Sequence, residues 1–112
     1  SGLLTGKYLN GGDGRLTTDK RYAARYGKSW MHDTAEALIN IANELKLNTA
    51  TLAVAWAARH SAVTAPIISA RNDKQLRASL DALDVRLSDQ EYNLIAEFSN
   101  CPAPATDRLE EV

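Results

Sequence analysis

Residues 63–83 read VTAPIISARNDKQLRASLDAL. Val63 to Ile68 is apolar or β-branched on both parities, the pattern of a strand buried on both faces. Pro66 offers no N–H to a ladder, so the strand is expected to tolerate it only near an end, as a barrel strand can. The small residues Ser69 and Ala70 follow, then Arg71. A helix begins after Asn72, its expected N-cap, with Leu76, Leu80 and Leu83 on one face. A buried parallel strand needs a neighbour on each side for its backbone donors and acceptors. The chain supplies no second strong strand. The expected fold class is therefore α/β: a mostly α-helical segment with one clear parallel strand at 63–68, part of a larger sheet.

The turn after that strand has chemical character. A helix N-terminus presents free N–H groups and the positive end of a dipole, which suits a phosphate. Arg71 adds a planar fork for phosphate oxygens. Gln75 lies one turn into the helix and can reach the same ligand. Ligands of α/β folds gather at the carboxyl ends of strands. The same residues also describe a solvated loop arginine beside an ordinary cap, and the pattern is short.

Outward from this centre, two helices are expected over 33–60. DTAEALINIANELKL puts Ala35, Leu38, Ile39, Ala42 and Leu45 on one stripe, with Asp33 and Glu36 as a capping pair. LNTATLAVAWAARH, capped by Asn48 or Thr49, has little polar surface and is expected to be buried, Trp56 included. Two more helices fill 72–99, the second opened by a Ser88–Glu91 capping box. Residues 1–8 read as a strand exit or loop. Residues 9–31 read as one long connection, of the kind that serves as a lid or stays irregular. The tail 100–112 reads as irregular. Lys7 after Gly6 is placed for a phosphate contact, although a P-loop is excluded because its first glycine and following helix are missing. An exposed loop lysine is the plain alternative.

The totals bound the function. The chain has 112 residues, enough for one small domain. Its net charge of −1 argues against a nucleic-acid partner. No stretch approaches a membrane span, and no signal peptide is legible. One cysteine, Cys101, suits a reducing compartment, so a cytoplasmic location is expected. No metal-ligand cluster stands out.

Three ordered segments together resemble the C-terminal third of the aldo-keto reductases, in the branch that includes potassium-channel β subunits and many bacterial reductases. GLLTGKY resembles the segment after the seventh barrel strand. LAVAWAARHSAVTAPIISARNDKQLRASLDAL resembles the helix–strand–helix around the eighth. LSDQEYNLI resembles the final helix. The resemblance implies the C-terminal part of a (β/α)8 TIM barrel, with 1–8 leaving the seventh strand and 9–31 as a cofactor-side loop. It implies an oxidoreductase that passes hydride from NADPH to an aldehyde or ketone, forming NADP and an alcohol. The family's Asp, Tyr, Lys and His catalytic set lies upstream of this part. No catalytic residue is assigned; Tyr8, Tyr22, Tyr26, Tyr92, His32 and His60 do not match those motif positions.

What carries over is the cofactor grip. By resemblance, Gly2, Leu3, Thr5, Gly6 and Lys7 lie along the pyrophosphate. Ser69, Arg71 and Gln75 surround the 2′-phosphate and its ribose, and Arg15 reaches over from the long loop. The family often has Glu and Asn where Ala78 and Ser79 stand, so adenine recognition is expected to be altered, with Ser79 keeping one hydrogen bond. The long loop's RYAARYGKSW interleaves cations and aromatics able to cover a dinucleotide, or it is a solvated connector anchored by Trp30.

Three readings follow: part of an NADPH-dependent reductase, part of a non-catalytic cofactor-binding relative, or a helical scaffold without chemistry. The segment by itself is expected to be inactive and to need the N-terminal part of the barrel or self-association.

Overall fold

The computed structural model describes residues 2–100. The order is a 3-10 turn at Leu3–Thr5, another at Lys7–Asn10, then α1 (Arg15–Thr18), α2 (Lys20–Tyr26), α3 (Ser29–Glu44) and α4 (Thr49–Arg59). After an irregular stretch come α5 (Asp73–Leu80), a 3-10 turn at Asp81–Asp84 and α6 (Asp89–Ala96).

Short polar side chains set most of the helix starts. The Asn48 carboxamide accepts from Ala50 N at 2.9 Å, and that of Asn72 accepts from Gln75 N at 3.0 Å. Ser88 Oγ accepts from Glu91 N at 3.1 Å, while the Glu91 carboxylate accepts from Ser88 N at 2.7 Å, completing the expected capping box. The end of α3 is a Schellman motif. Leu47 N donates to Ala42 O at 2.8 Å and Lys46 N to Asn43 O at 3.1 Å. Lys46 takes the left-handed conformation there, φ 56°, where glycine is the unstrained residue.

The Glu91 carboxyl is held below its ordinary value of 4.5, first by the Ser88 backbone N–H and then by the Ser88 hydroxyl. A depressed folded-state pKa contributes stability that is present above the unfolded value and lost as pH falls through the folded one. We expect α6 to loosen on acidification within that window, and Glu91→Gln to remove this step; Tyr92 and Trp56 fluorescence followed against pH is the check.

The core forms around α4. Leu52 is fully buried, packed with Leu38 and Ala42 of α3 and Ile95 of α6, and Ala55 is nearly buried. The alanines let neighbouring helices approach α4 closely, and polar ties fix their register. Thr51 Oγ1, also buried, donates to Ala78 O on α5 at 2.5 Å. Trp56 Nε1 donates to Tyr92 O on α6 at 3.1 Å, and the two rings stack at 5.6 Å. Arg59 reaches the same helix, donating to Leu87 O at 3.0 Å, pairing with Asp89 and lying over the Tyr92 ring. The expectation of a buried second helix holds, and Trp56 lies against the core.

The structure corrects three expectations. Residues 63–68 form no strand, and among the described residues there is none. Ile67 is entirely exposed, with Val63 and Ile68 near one-third exposed. No neighbouring strand is present to pair their backbone groups, so the apolar run cannot become a strand by itself. Residues 9–31 are not one irregular connection: α1, α2 and the start of α3 lie within them. Residues 1–8, read as a strand exit or loop, hold the 3-10 turn Leu3–Thr5 and the start of the one at Lys7–Asn10. Finally, α3 begins at Ser29 with Lys28 as N-cap, so Asp33 and Glu36 lie inside the helix and cap nothing. Leu76, Leu80 and Leu83, expected on one face, are all substantially exposed. The expected irregular tail from Cys101 onward lies outside the described residues.

Candidate functional site

Residues 2–17 wind around the Lys7 side chain. Gly2 and Gly6 both have positive φ, 80° and 77°. At Gly6 a Cβ would run into the Ile39 side chain of α3, so only glycine fits there. Thr5 closes the first turn twice on Gly2 O, from its amide at 3.2 Å and its hydroxyl at 2.7 Å. A Cβ on Gly2 would stand 3.1 Å from Lys7 Cε. The Lys7 ammonium donates to Asp13 O at 3.2 Å and lies 4.7 Å from the Tyr8 ring centroid. Gly12 N returns to Lys7 O at 2.9 Å. The outcome is a half-buried cation whose stem is wrapped by glycine backbone.

A second cluster sits where the chain enters α5. Asn72 caps the helix, and the Gln75 side chain folds back to accept Arg71 N at 2.9 Å. Ser79 Oγ donates to Gln75 O at 3.3 Å. Arg71 and Ser69 are exposed, and the Arg71 guanidinium makes no ion pair among the described residues.

The expected site residues thus fall into two groups. Gly2, Leu3, Thr5, Gly6 and Lys7 are gathered in one loop. Ser69, Arg71, Gln75 and Ser79 are gathered in the approach to α5 and its first two turns. Both groups are carried by α4, against which the first 3-10 turn and α5 each pack. Arg15 belongs to neither. Its guanidinium lies 5.3 Å from the Tyr22 ring centroid and reaches the Tyr22 hydroxyl at 3.5 Å, turned to α2.

Sequence reasoning missed Tyr8 and the second glycine pair. The Tyr8 hydroxyl accepts from Leu16 N at 3.3 Å, pinning α1 to the loop. Gly14 lies so close to the Lys7 ammonium and the Tyr8 hydroxyl that a Cβ would collide with both. The signal was the glycine spacing in KYLNGGDG, most of which lies in the stretch read as one long connection.

Among the described residues there is also an apolar cleft of about 80 Å³ lined by Leu4, Thr34, Trp56, Ile95 and Phe98 among others. It holds no titratable group and suits no acid–base chemistry. Among the described residues no cluster of His, Cys, Asp or Glu could hold a metal, and no helix is long and apolar enough to cross a membrane.

Residues 1–100 match the model of the aldo/keto reductase family. The chain belongs to that family. Among its curated relatives is a probable voltage-gated potassium channel subunit beta of Oryza sativa subsp. japonica, 37% identical over 93 residues, 76% of this chain and 27% of that protein. Protein tas of Escherichia coli is 30% identical over 109 residues, 92% of this chain and 31% of the relative. A probable channel subunit beta of Arabidopsis thaliana is 32% identical over 93 residues, 76% of this chain and 27% of that protein. The chain therefore spans less than a third of the length of these relatives. No solved structure matches it.

The family's fold is a (β/α)8 barrel. The donor set suits the family's dinucleotide. With Gly2 and Gly14 leaving no Cβ beside its side chain, Lys7 brings one cation and Arg71 another, and Ser69 and Ser79 bring two hydroxyls. All of these are groups that donate to phosphate oxygens.

Proposed function

We propose that this chain forms part of the NADPH site of an aldo/keto reductase that reduces aldehydes or ketones to alcohols. The observation that carries the reading is the exposed Arg71 guanidinium beside the capped start of α5, on a helix that packs against α4, as does the 3-10 turn leading into Lys7 and its glycine loop. Lys7 would bind the pyrophosphate, with Gly2, Leu3, Thr5 and Gly6 giving the backbone close access. Arg71, with Ser69 and Gln75, would hold the 2′-phosphate, selecting the phosphorylated cofactor. Ser79 would offer one hydrogen bond to the adenosine. Bound there, the cofactor supplies a hydride to the carbonyl carbon, and these residues orient it.

In a complete barrel, 63–68 would form the eighth strand. This accounts for an apolar run that here leaves Ile67 in water. The same exposure favours association, with the remainder of such a barrel or with a second copy. Hydride transfer also needs a positioned proton donor. No residue of this chain matches the family's catalytic positions, so the chain by itself is expected to be inactive. A second reading is a cofactor-binding subunit without turnover, favoured by the two relatives named as channel subunits.

Native mass spectrometry with and without NADPH tests the proposal. An assembly larger than the 12.2 kDa chain that takes up NADPH supports it. A lone chain that takes up none overturns it. Carbonyl reduction by an assembly, with none by the chain alone, selects the reductase over the subunit.

A further inference from the structure

We propose that Asn10 is a site of spontaneous deamidation, through which the glycine loop acquires a new negative charge and an isomerised backbone. Asn10 is the last residue of the second 3-10 turn and is exposed. Its side chain makes no hydrogen bond among the described residues, so the carboxamide is free to turn back on the main chain.

The next residue is the attacking group. Gly11 has φ 72° and nothing within 4 Å of where a Cβ would stand. No side chain on either residue obstructs approach of the Gly11 nitrogen to Asn10 Cγ. The Gly11 N–H is shared between Lys7 O and Tyr8 O, the latter at 3.3 Å, a long and weak restraint. Asn48 and Asn72 differ on both counts. Each side chain is held as a helix cap, and each is followed by a residue with a Cβ, Thr49 or Asp73.

The steps balance with water alone. The Gly11 nitrogen loses its proton to solvent and bonds to Asn10 Cγ. The carboxamide C–N bond breaks and ammonia leaves, giving a five-membered succinimide. Water then opens the ring at either carbonyl. One opening yields aspartate; the other yields isoaspartate, with the main chain rerouted through the former side chain. No oxidation or reduction occurs. Between residues 2 and 14 the only charges are Lys7 and Asp13, so the loop passes from neutral to negative.

The test is incubation of the folded full chain in mildly alkaline, heavy-oxygen water, followed by peptide mass spectrometry. Asn48 and Asn72 are the internal references, and a urea-unfolded sample is run in parallel. Conversion of Asn10 about tenfold faster than either reference, with heavy oxygen incorporated and isoaspartate in excess, is expected, because glycine leaves the attack path open. An Asn10→Gln chain, which needs a larger ring, should lose the fast conversion and nothing else. Folded Asn10 reacting no faster than Asn48 and Asn72 would overturn the proposal. If it reacts fast only in the unfolded sample, the 3-10 turn protects it, and the proposal fails equally.

Discussion

The Arg71→Ala protein, assembled with whatever completes its cofactor site, is expected to bind NADPH about 10- to 100-fold more weakly, the worth of one charge-assisted hydrogen-bonding group of about 1.5–3 kcal/mol. Its affinity for NADH should stay within a few-fold of the starting protein, because NADH lacks the 2′-phosphate. Arg71 supports nothing else that would confuse the result. Its side chain is exposed, and its bond to Gln75 is made by the backbone N–H, which the substitution keeps. The cap of α5 comes from Asn72 and survives the substitution. Fluorescence titration with both dinucleotides reads the outcome. An equal loss for the two cofactors would place Arg71 away from the 2′-phosphate, and no loss for either would remove it from the site.

The second large effect is on stability. Leu52→Ala is expected to cost about 3 kcal/mol, within the range for emptying a fully buried leucine site. Leu52 has no exposed surface and stands where α3, α4 and α6 meet. Its loss leaves a void lined by Leu38, Ala42 and Ile95, and the helices cannot collapse into it while Thr51 and Trp56 hold α5 and α6 by hydrogen bonds. A domain of this size has only about 5–15 kcal/mol in all. Urea unfolding followed by circular dichroism should show the midpoint fall with little change in slope. An unchanged midpoint would mean that α4 is not the centre of the fold in solution.

These two residues illustrate unequal legibility. Arg71, Asn72 and Gln75 could be picked out from their order along the chain, since a cap, its N3 partner and a cation before it are local features. The Ser88–Glu91 box was legible for the same reason. The start of α3 was not. Asp33 looked like a cap, but the helix continues back to Ser29. Within that added turn, Trp30 O accepts from the Thr34 hydroxyl, which also reaches Phe98 O at 2.8 Å, 64 residues away in the chain. No local pattern announces a partner at that distance. Nor does any local pattern announce that Arg15, which the resemblance set over the cofactor, lies against the face of Tyr22.

By itself the sequence determined where α4, α5 and α6 begin and that α4 is apolar enough to be buried. These depend on composition over a few turns and on caps that act within four residues. Tertiary structure alone decided that α4 carries both halves of the candidate site and that Lys7 is wrapped by Gly2 and Gly14. It also decided the fate of Val63 to Ile68. A helix satisfies its backbone within its own segment, so local sequence can specify it. A strand borrows its donors and acceptors from neighbours, and with no strand beside it among the described residues the same apolar run forms none and leaves Ile67 in solvent.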